Sequence, residues 1–426
     1  MRHLSTYASS LDNPTRILVV CFLVPLFWPV LFFIWPGLFF FIVSNRALRD
    51  PMGLHTNKNL LRDMSLFRRV NAPMRSMSSP IRRSTLRKKP LIIAHRCGGG
   101  EAPENTVAAA RQSLENSPSL ILHVDLLLTA DKQVVCFHDQ EPHERNMLKM
   151  TGRDSSISFF EFGNLPPLLS RIPTNPLCDL GSYIDTTKFT RDGRKICKFE
   201  DLCEAFIDVP MVLELWGDDL TLVERVHEIL FSFRRAKNVV WGNRFSVKIQ
   251  RACEDYDHVI PTFSTASQWS WLYIAYYTGV LPFLPIQHFD VFNAVLINEA
   301  KWRQLLIGSL GQNMMSDVVV LVFNVVQRTI NWLLRAPGLF EHLQARGIPV
   351  VAFVVNDEEE WGYACSKNMA AICTDYPARF NSFSKAAPMV SSPSSQQDIS
   401  TSSAKPPPQE RQRSHTSFGE YRNGRL

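Results

Sequence analysis

Residues 92–106 read Ile-Ile-Ala-His-Arg-Cys-Gly-Gly-Gly-Glu-Ala-Pro-Glu-Asn-Thr. A short apolar run ends in His95-Arg96, a glycine run follows, and Glu104-Asn105-Thr106 then opens a helix-like segment in which Asn105 or Thr106 can serve as the cap. The same grammar recurs downstream. His123-Val124-Asp125 interrupts the apolar stretch 120–127, His138-Asp139 follows Val134-Val135-Cys136-Phe137, and Glu214 lies in Met-Val-Leu-Glu-Leu-Trp (211–216). Each polar group sits at or near the C-terminal end of an apolar, β-rich run. When strands lie parallel, that edge is where binding and catalytic groups gather.

Working outward, strand-like runs fall at 91–94, 120–127, 134–138, 211–215, 239–241, 259–263, 292–297, 348–355 and 371–374. Helix-like segments at 105–116, 220–235, 246–254, 318–335 and 338–345 separate most of them. This alternation predicts an α/β fold, a (β/α)8 TIM barrel, with one strand candidate more than eight requires. The barrel is expected over 90–383. Beyond it the Ser-, Pro- and Gln-rich tail, 384–426, lacks the apolar residues for a core.

The N-terminal part has a different composition. Residues 17–43 contain no charged side chain and exceed the roughly 20 residues that cross a bilayer. Pro25, Pro29 and Pro36 allow either a kinked transmembrane helix or a re-entrant hairpin. A cleaved signal peptide fits less well, because the run is about twice the usual apolar length and lacks a small-x-small cleavage site. The linker 44–89 carries twelve Arg and Lys against Asp50 and Asp63. Next to an apolar run, that excess predicts anionic lipid rather than nucleic acid as its partner, with the barrel on the cytosolic side. Nine cysteines without a CxxC pair argue against a disulfide framework and agree with a reducing compartment. A second apolar segment, Trp269 to Ile286, is read as either an aromatic interfacial surface or a buried barrel helix, not as a span.

The polar residues suggest a chemistry together. Asp125 and Glu214 are hard oxygen ligands for a divalent cation, and His123 shares the face of Asp125 because strand side chains repeat every two residues. His95 and His138 can move protons near neutral pH, and Arg96 offers a planar fork to a phosphate. Gly98 and Gly99 allow a close backbone approach to a phosphate. Such a set suits phosphoryl transfer.

On these motifs the sequence resembles the glycerophosphodiester phosphodiesterase family over about 90–379. The matching residues are His95-Arg96, Glu104-Asn105-Thr106, His123-Val124-Asp125, His138-Asp139, Glu214-Leu215-Trp216, Phe353-Val354-Val355-Asn356 and Thr374-Asp375-Tyr376-Pro377. The segments 239–243 and 278–286 resemble its membrane-anchored lysophospholipase D branch. The resemblance implies His95 and His138 as acid and base and Arg96 on the phosphate. It implies Glu104, Asp125 and Glu214 as metal-site residues or their close support. It also implies a lysophospholipid or glycerophosphodiester substrate, Mg²⁺ or Ca²⁺ as cofactor, and residence in the endoplasmic reticulum or another internal membrane. The chain departs from the pattern at three places. His123 replaces a glutamate ligand, which favours Zn²⁺ or Mn²⁺. Trp216 stands where the family has a phosphate-neutralising lysine, and Cys97 replaces a glycine. These departures leave open a barrel that binds lipid or regulates without turnover.

Overall fold

A computed structural model describes residues 89–139, 146–174, 182–286, 289–296 and 317–386. The expected anchor (17–43), all but the last residue of the basic linker and the tail beyond residue 386 lie outside them. Among the described residues no helix is long and apolar enough to cross a membrane.

The chain enters with β1 (Leu91–Ala94), α1 (Val107–Asn116), β2 (Ile121–Leu128), β3 (Val134–Cys136) and α2 (Asn146–Thr151). A small antiparallel pair, β4 (Arg171–Pro173) and β5 (Tyr183–Asp185), precedes α3 (Phe199–Ala205). Next come β6 (Met211–Leu215), α4 (Thr221–Ser232), β7 (Val239–Gly242), α5 (Val247–Tyr256) and α6 (Ala266–Tyr277). The last described part comprises β8 (Phe292–Val295), α7 (Asp317–Leu334), α8 (Pro337–Ala345), β9 (Val350–Phe353), α9 (Glu358–Ser366), β10 (Ala371–Thr374) and α10 (Pro377–Ala386).

The main sheet has the order β7-β6-β2-β1-β10-β9-β8, and every pairing along it is parallel. The expected strand at 259–263 forms no regular element. Instead Thr262 bridges Trp241, and Phe263 bridges Val291, both in parallel. Those two bridges carry the sheet from β7 round to β8, so eight segments make a curled, barrel-like sheet. β3 is the surplus candidate: it pairs antiparallel with β2, off the main path, and its Val135 also bridges Lys198.

Alternation explains the interior. Leu91, Ile93, Ile121, Val240, Phe263, Val291, Val351, Phe353, Ala371 and Cys373 form one buried cluster, with Val212 packed against it. All eight segments thus send residues inward at strand spacing, filling the barrel with apolar side chains. Two larger clusters lie between strands and helices. Helix α6 resolves the two readings of Trp269 to Ile286. Leu272, Tyr273, Ala275 and Tyr276 are buried on its inner face, while Trp271, Ile274 and Phe283 are exposed. Core helix and aromatic surface are opposite sides of one segment.

Local chemistry sets the elements that carry the site. Thr106 is the cap of α1, its hydroxyl accepting from the N–H of Ala109 at 3.1 Å. The carboxylate of Glu101 accepts from the N–H groups of Ala378 and Arg379, capping α10, a role the sequence did not suggest. Arg235, fully buried, donates to the carbonyls of Phe206, Ile207 and Val209, which fixes the turn into β6. Beyond β1 the chain is left-handed at Arg96 (φ 48°), Cys97 (φ 63°) and Gly98 (φ 95°). A β-carbon on Gly98 would lie 2.4 Å from Ser113 Oγ, the hydroxyl that donates to Cys97 O at 2.8 Å. Gly98→Ala should therefore cost roughly 1–3 kcal/mol, from backbone strain plus a displaced hydrogen bond. A urea titration of the two proteins measures this difference.

Candidate active site

Sheet register brings the expected residues to one edge. β2 and β6 pair so that Asp125 lies beside Glu214, and Glu214 lies beside Gly242 of β7. On the other side, Ala94 pairs with both Leu122 and Thr374, so His95 and Asp375 leave neighbouring strand ends side by side. His95, Arg96, His123, Asp125, His138, Glu214 and Asp375 are all at most 6% exposed. Buried charge at that density requires partners for every carboxylate.

Each carboxylate has them. Asp375 Oδ1 lies 2.7 Å from His95 Nδ1, and Asn356 Nδ2 donates to Asp375 Oδ2 at 2.7 Å. Asn356 is itself held, its Oδ1 accepting from Thr374 Oγ1 and from Asp375 N. Burial alone would push the Asp375 carboxyl up, but the His95 charge and these hydrogen bonds hold it well below the usual range. Asp125 is gripped at both oxygens. Trp216 Nε1 donates to Oδ1 at 2.8 Å and Asn105 Nδ2 to Oδ2 at 2.9 Å, while Arg96 Nε lies 3.5 Å from Oδ2. Burial opposes its ionisation, yet His138, His123 and Arg96 together hold it low.

Glu104 accepts from Arg96 Nη1 at 3.2 Å and Asn146 Nδ2 at 2.7 Å, and Lys149 Nζ lies 3.4 Å away. Glu104, expected as a ligand or close support, lies outside the group His123, Asp125 and Glu214 and meets Arg96 instead. Glu214 Oε2 accepts from Arg244 Nη2 at 3.2 Å and lies 3.4 Å from His123 Nε2. His138 packs edge-on against Trp216, with ring centroids 4.5 Å apart. The N–H groups of Gly98 and Gly99 both donate to His95 O, and that of Gly100 to Asp375 O, so they are used within the turn.

His123, Asp125 and Glu214 each offer a ligand atom within 4.8 Å of the others. Both His123 ring nitrogens and Glu214 Oε1 are buried without a hydrogen-bond partner among the described residues. An imidazole and two carboxylates with unused lone pairs fit a divalent cation, and each carboxylate oxygen of Asp125 keeps a second lone pair. A cavity of about 690 Å³ lies on the far side of Trp216, walled by Leu127, Lys132, Ser156, Ile157, Asp219 and Phe245, and none of His123, Asp125 and Glu214 lines it.

Sequence reasoning missed the roles of Asp375, Asn356 and Arg244. Thr374-Asp375 closes the last strand, a position that marks site residues at the other strand ends, and that signal could have found Asp375. Among the described residues seven non-glycine residues are left-handed, and four of them, Arg96, Cys97, Asn105 and Val354, flank the site. Strain therefore concentrates where the network holds it.

Burial pushes the Glu104 carboxyl up, but Lys149, Arg96 and His138 outweigh it and lower it from 4.5 to about 2. A carboxyl depressed on folding adds stability above its unfolded value and loses it as pH falls through the folded one. Stability should therefore drop between about pH 4.5 and 2, with Glu104 contributing about 3 kcal/mol. Urea midpoints across this range should flatten in Glu104→Gln; an unchanged acid limb contradicts the assignment.

Comparison with known proteins gives the site its context. Residues 95–379 match the model of the glycerophosphoryl diester phosphodiesterase family. Lysophospholipase D GDPD1 of Homo sapiens is 28% identical over 297 residues, covering 68% of this chain and 85% of that protein. Lysophospholipase D GDPD3 of Mus musculus is 27% identical over 354 residues, covering 82% and 91%. A glycerophosphodiester phosphodiesterase crystal structure from Agrobacterium tumefaciens, 13% identical, aligns with a TM-score of 0.44 over 69% of this chain and 99% of its own. With two thirds of its length matched by the family model, the site included, the chain belongs to the glycerophosphoryl diester phosphodiesterase family.

Proposed function

We propose that the protein hydrolyses lysophospholipids with the help of a divalent cation, releasing the head-group alcohol and leaving lysophosphatidic acid. One observation carries this reading: the His95–Asp375 pair and the group His123, Asp125 and Glu214 share one sheet edge with Arg96. A bound cation would supply Lewis-acid polarisation of the phosphate oxygens and charge neutralisation. His123, Asp125 and Glu214 would hold it, and the imidazole supports Mn²⁺ or Zn²⁺ over an all-oxygen Mg²⁺ or Ca²⁺ site.

The chain's own groups do the rest. Asp375 on Nδ1 places the His95 proton there, leaving Nε2 as the lone pair that accepts a proton from the attacking water, or from the attacking glycerol hydroxyl, whose cyclic phosphate a water then opens to lysophosphatidic acid. His138 delivers a proton to the departing head-group oxygen. Arg96, oriented by Glu104, binds the phosphate. Gly98 and Gly99 let the turn pack closely, their N–H groups donating to His95 O.

Preference for an acylated substrate is supported by the exposed Trp271, Ile274 and Phe283, by the names of the curated relatives, and by the apolar stretch 17–43. That stretch and the basic linker support anchorage of the barrel at the cytosolic face of the endoplasmic reticulum or another internal membrane.

Head-group release from lysophosphatidylcholine by the full-length protein tests the proposal. Chelation should abolish it and Mn²⁺ should restore it. His95→Ala and His138→Ala should each lower turnover by about 10²–10⁴, the usual contribution of a positioned acid or base. Asp375→Asn should lower kcat with little change in KM. Wild-type rates in both histidine variants would remove the assigned acid and base. Equal turnover of lysophosphatidylcholine and deacylated glycerophosphocholine would contradict the acyl preference. If His123→Glu with Trp216→Lys creates activity absent from the wild type, the barrel is a binding or regulatory protein instead.

A further inference from the structure

Across four adjacent strands the charged groups at the sheet edge follow an order: Arg96 after β1, Asp125 on β2, Glu214 on β6, Arg244 after β7. Two carboxylates are thus flanked by two guanidinium groups. Arg96 meets two carboxylates, Glu104 at 3.2 Å and Asp125 at 3.5 Å. Arg244 meets one. Of its five N–H donors, Nη2 alone meets a carboxylate, Glu214 Oε2 at 3.2 Å. Its Nε is buried without a hydrogen-bond partner among the described residues.

Its setting suits an anion. The Arg244 side chain is 18% exposed where Glu214 is 2%, so the guanidinium stands on the accessible side of the carboxylate. Its Cζ lies 3.6 Å from the centroid of the Phe353 ring, which fixes the plane of the fork. Phe353 in turn meets His95 and His123 edge-on, at centroid distances of 5.6 and 5.7 Å. The fork is therefore held beside the two imidazoles at the centre of the site. Just past β6, two residues after Glu214, stands Trp216, whose N–H is spent on Asp125, so that strand end offers no cation of its own.

We propose that Arg244 is a phosphate-binding residue, gripping the phosphodiester from the side opposite Arg96. This rests on the phosphodiesterase reading but adds a residue to it and fixes the ligand class as a phosphate ester held between two guanidinium groups. It also explains how a site with an indole at Trp216 neutralises a phosphate.

The test uses the full-length protein with three probes: inorganic phosphate, Mn²⁺ alone, and lysophosphatidylcholine turnover. Arg244→Gln should weaken phosphate binding about tenfold and lower kcat/KM about 10²-fold, the scale of one lost charge-stabilising donor. Arg244→Lys should recover part of both, and added guanidinium should partly rescue Arg244→Gln. Mn²⁺ affinity should stay level or rise, because Glu214 loses a competing cation. If Arg244→Gln fails to fold, as thermal melting would show, Arg244→Lys carries the same comparison. Phosphate affinity and turnover at wild-type level in the substituted protein overturn the proposal. So does a parallel loss of phosphate and Mn²⁺ affinity, which would mean that Arg244 merely holds Glu214 in place. A wild type that binds phosphate through Arg244 yet turns over no lysophospholipid leaves this residue assignment standing and removes the hydrolytic one. A wild type that binds no phosphate removes both.

Discussion

Four carboxylates, Glu104, Asp125, Glu214 and Asp375, are buried together at the C-terminal edge of one curled sheet. Taking a carboxylate out of water is costly unless positive charge and hydrogen-bond donors meet it. That constraint organises the molecule above the barrel. Arg96 and Lys149 answer Glu104, Asn105 and Trp216 answer Asp125, Arg244 and His123 answer Glu214, and His95 and Asn356 answer Asp375. All four acids are consequently held ionised below their ordinary range, burial notwithstanding. The same arrangement that stabilises the folded chain leaves a negatively charged group to share with a cation and positive forks to share with a phosphate.

The barrel's role is to bring these groups together from distant parts of the chain. His95 and Asp375 are 280 residues apart in sequence yet neighbours in space, because β10 pairs with β1 in register. The left-handed turn at Arg96, Cys97 and Gly98 aims the His-Arg pair, and Ser113 and Pro377 pack against it closely enough that Gly98 has no room for a side chain. Cys97 tolerates the left-handed angle that glycine usually takes, with its thiol buried 3.8 Å from His123 O. The departure at Trp216 changes more. Where the family resemblance implies an ammonium, an indole N–H orients Asp125 without adding charge, and Arg244, just past β7, is the cation proposed in its place.

Much of this was legible beforehand because it depends on local pattern. Strand ends marked by His95-Arg96, Asp125, His138 and Glu214 follow from alternation and position, and the structure brings these residues to one edge. The counting error had a physical source: Val134–Cys136 has a strand's composition but turns back antiparallel onto β2, while the 259–263 segment contributes only two bridges. Composition cannot tell a barrel strand from a hairpin strand, since both bury alternate residues. The part that was not legible is partner choice. Nothing near Arg244 in sequence announces Glu214, thirty residues earlier, and an Asn-Arg pair after a strand reads as an ordinary turn. Glu104, expected as a ligand or its support, meets Arg96, Asn146 and Lys149, contacts that only side-chain geometry reveals.

A cation held by His123, Asp125 and Glu214 between two guanidinium groups would show itself in crystals soaked in Mn²⁺ and measured for anomalous scattering. The expected result is a single strong peak bounded by His123, Asp125 and Glu214, lost in Asp125→Asn. A peak elsewhere, or none at Mn²⁺ concentrations that occupy ordinary carboxylate sites, would contradict it.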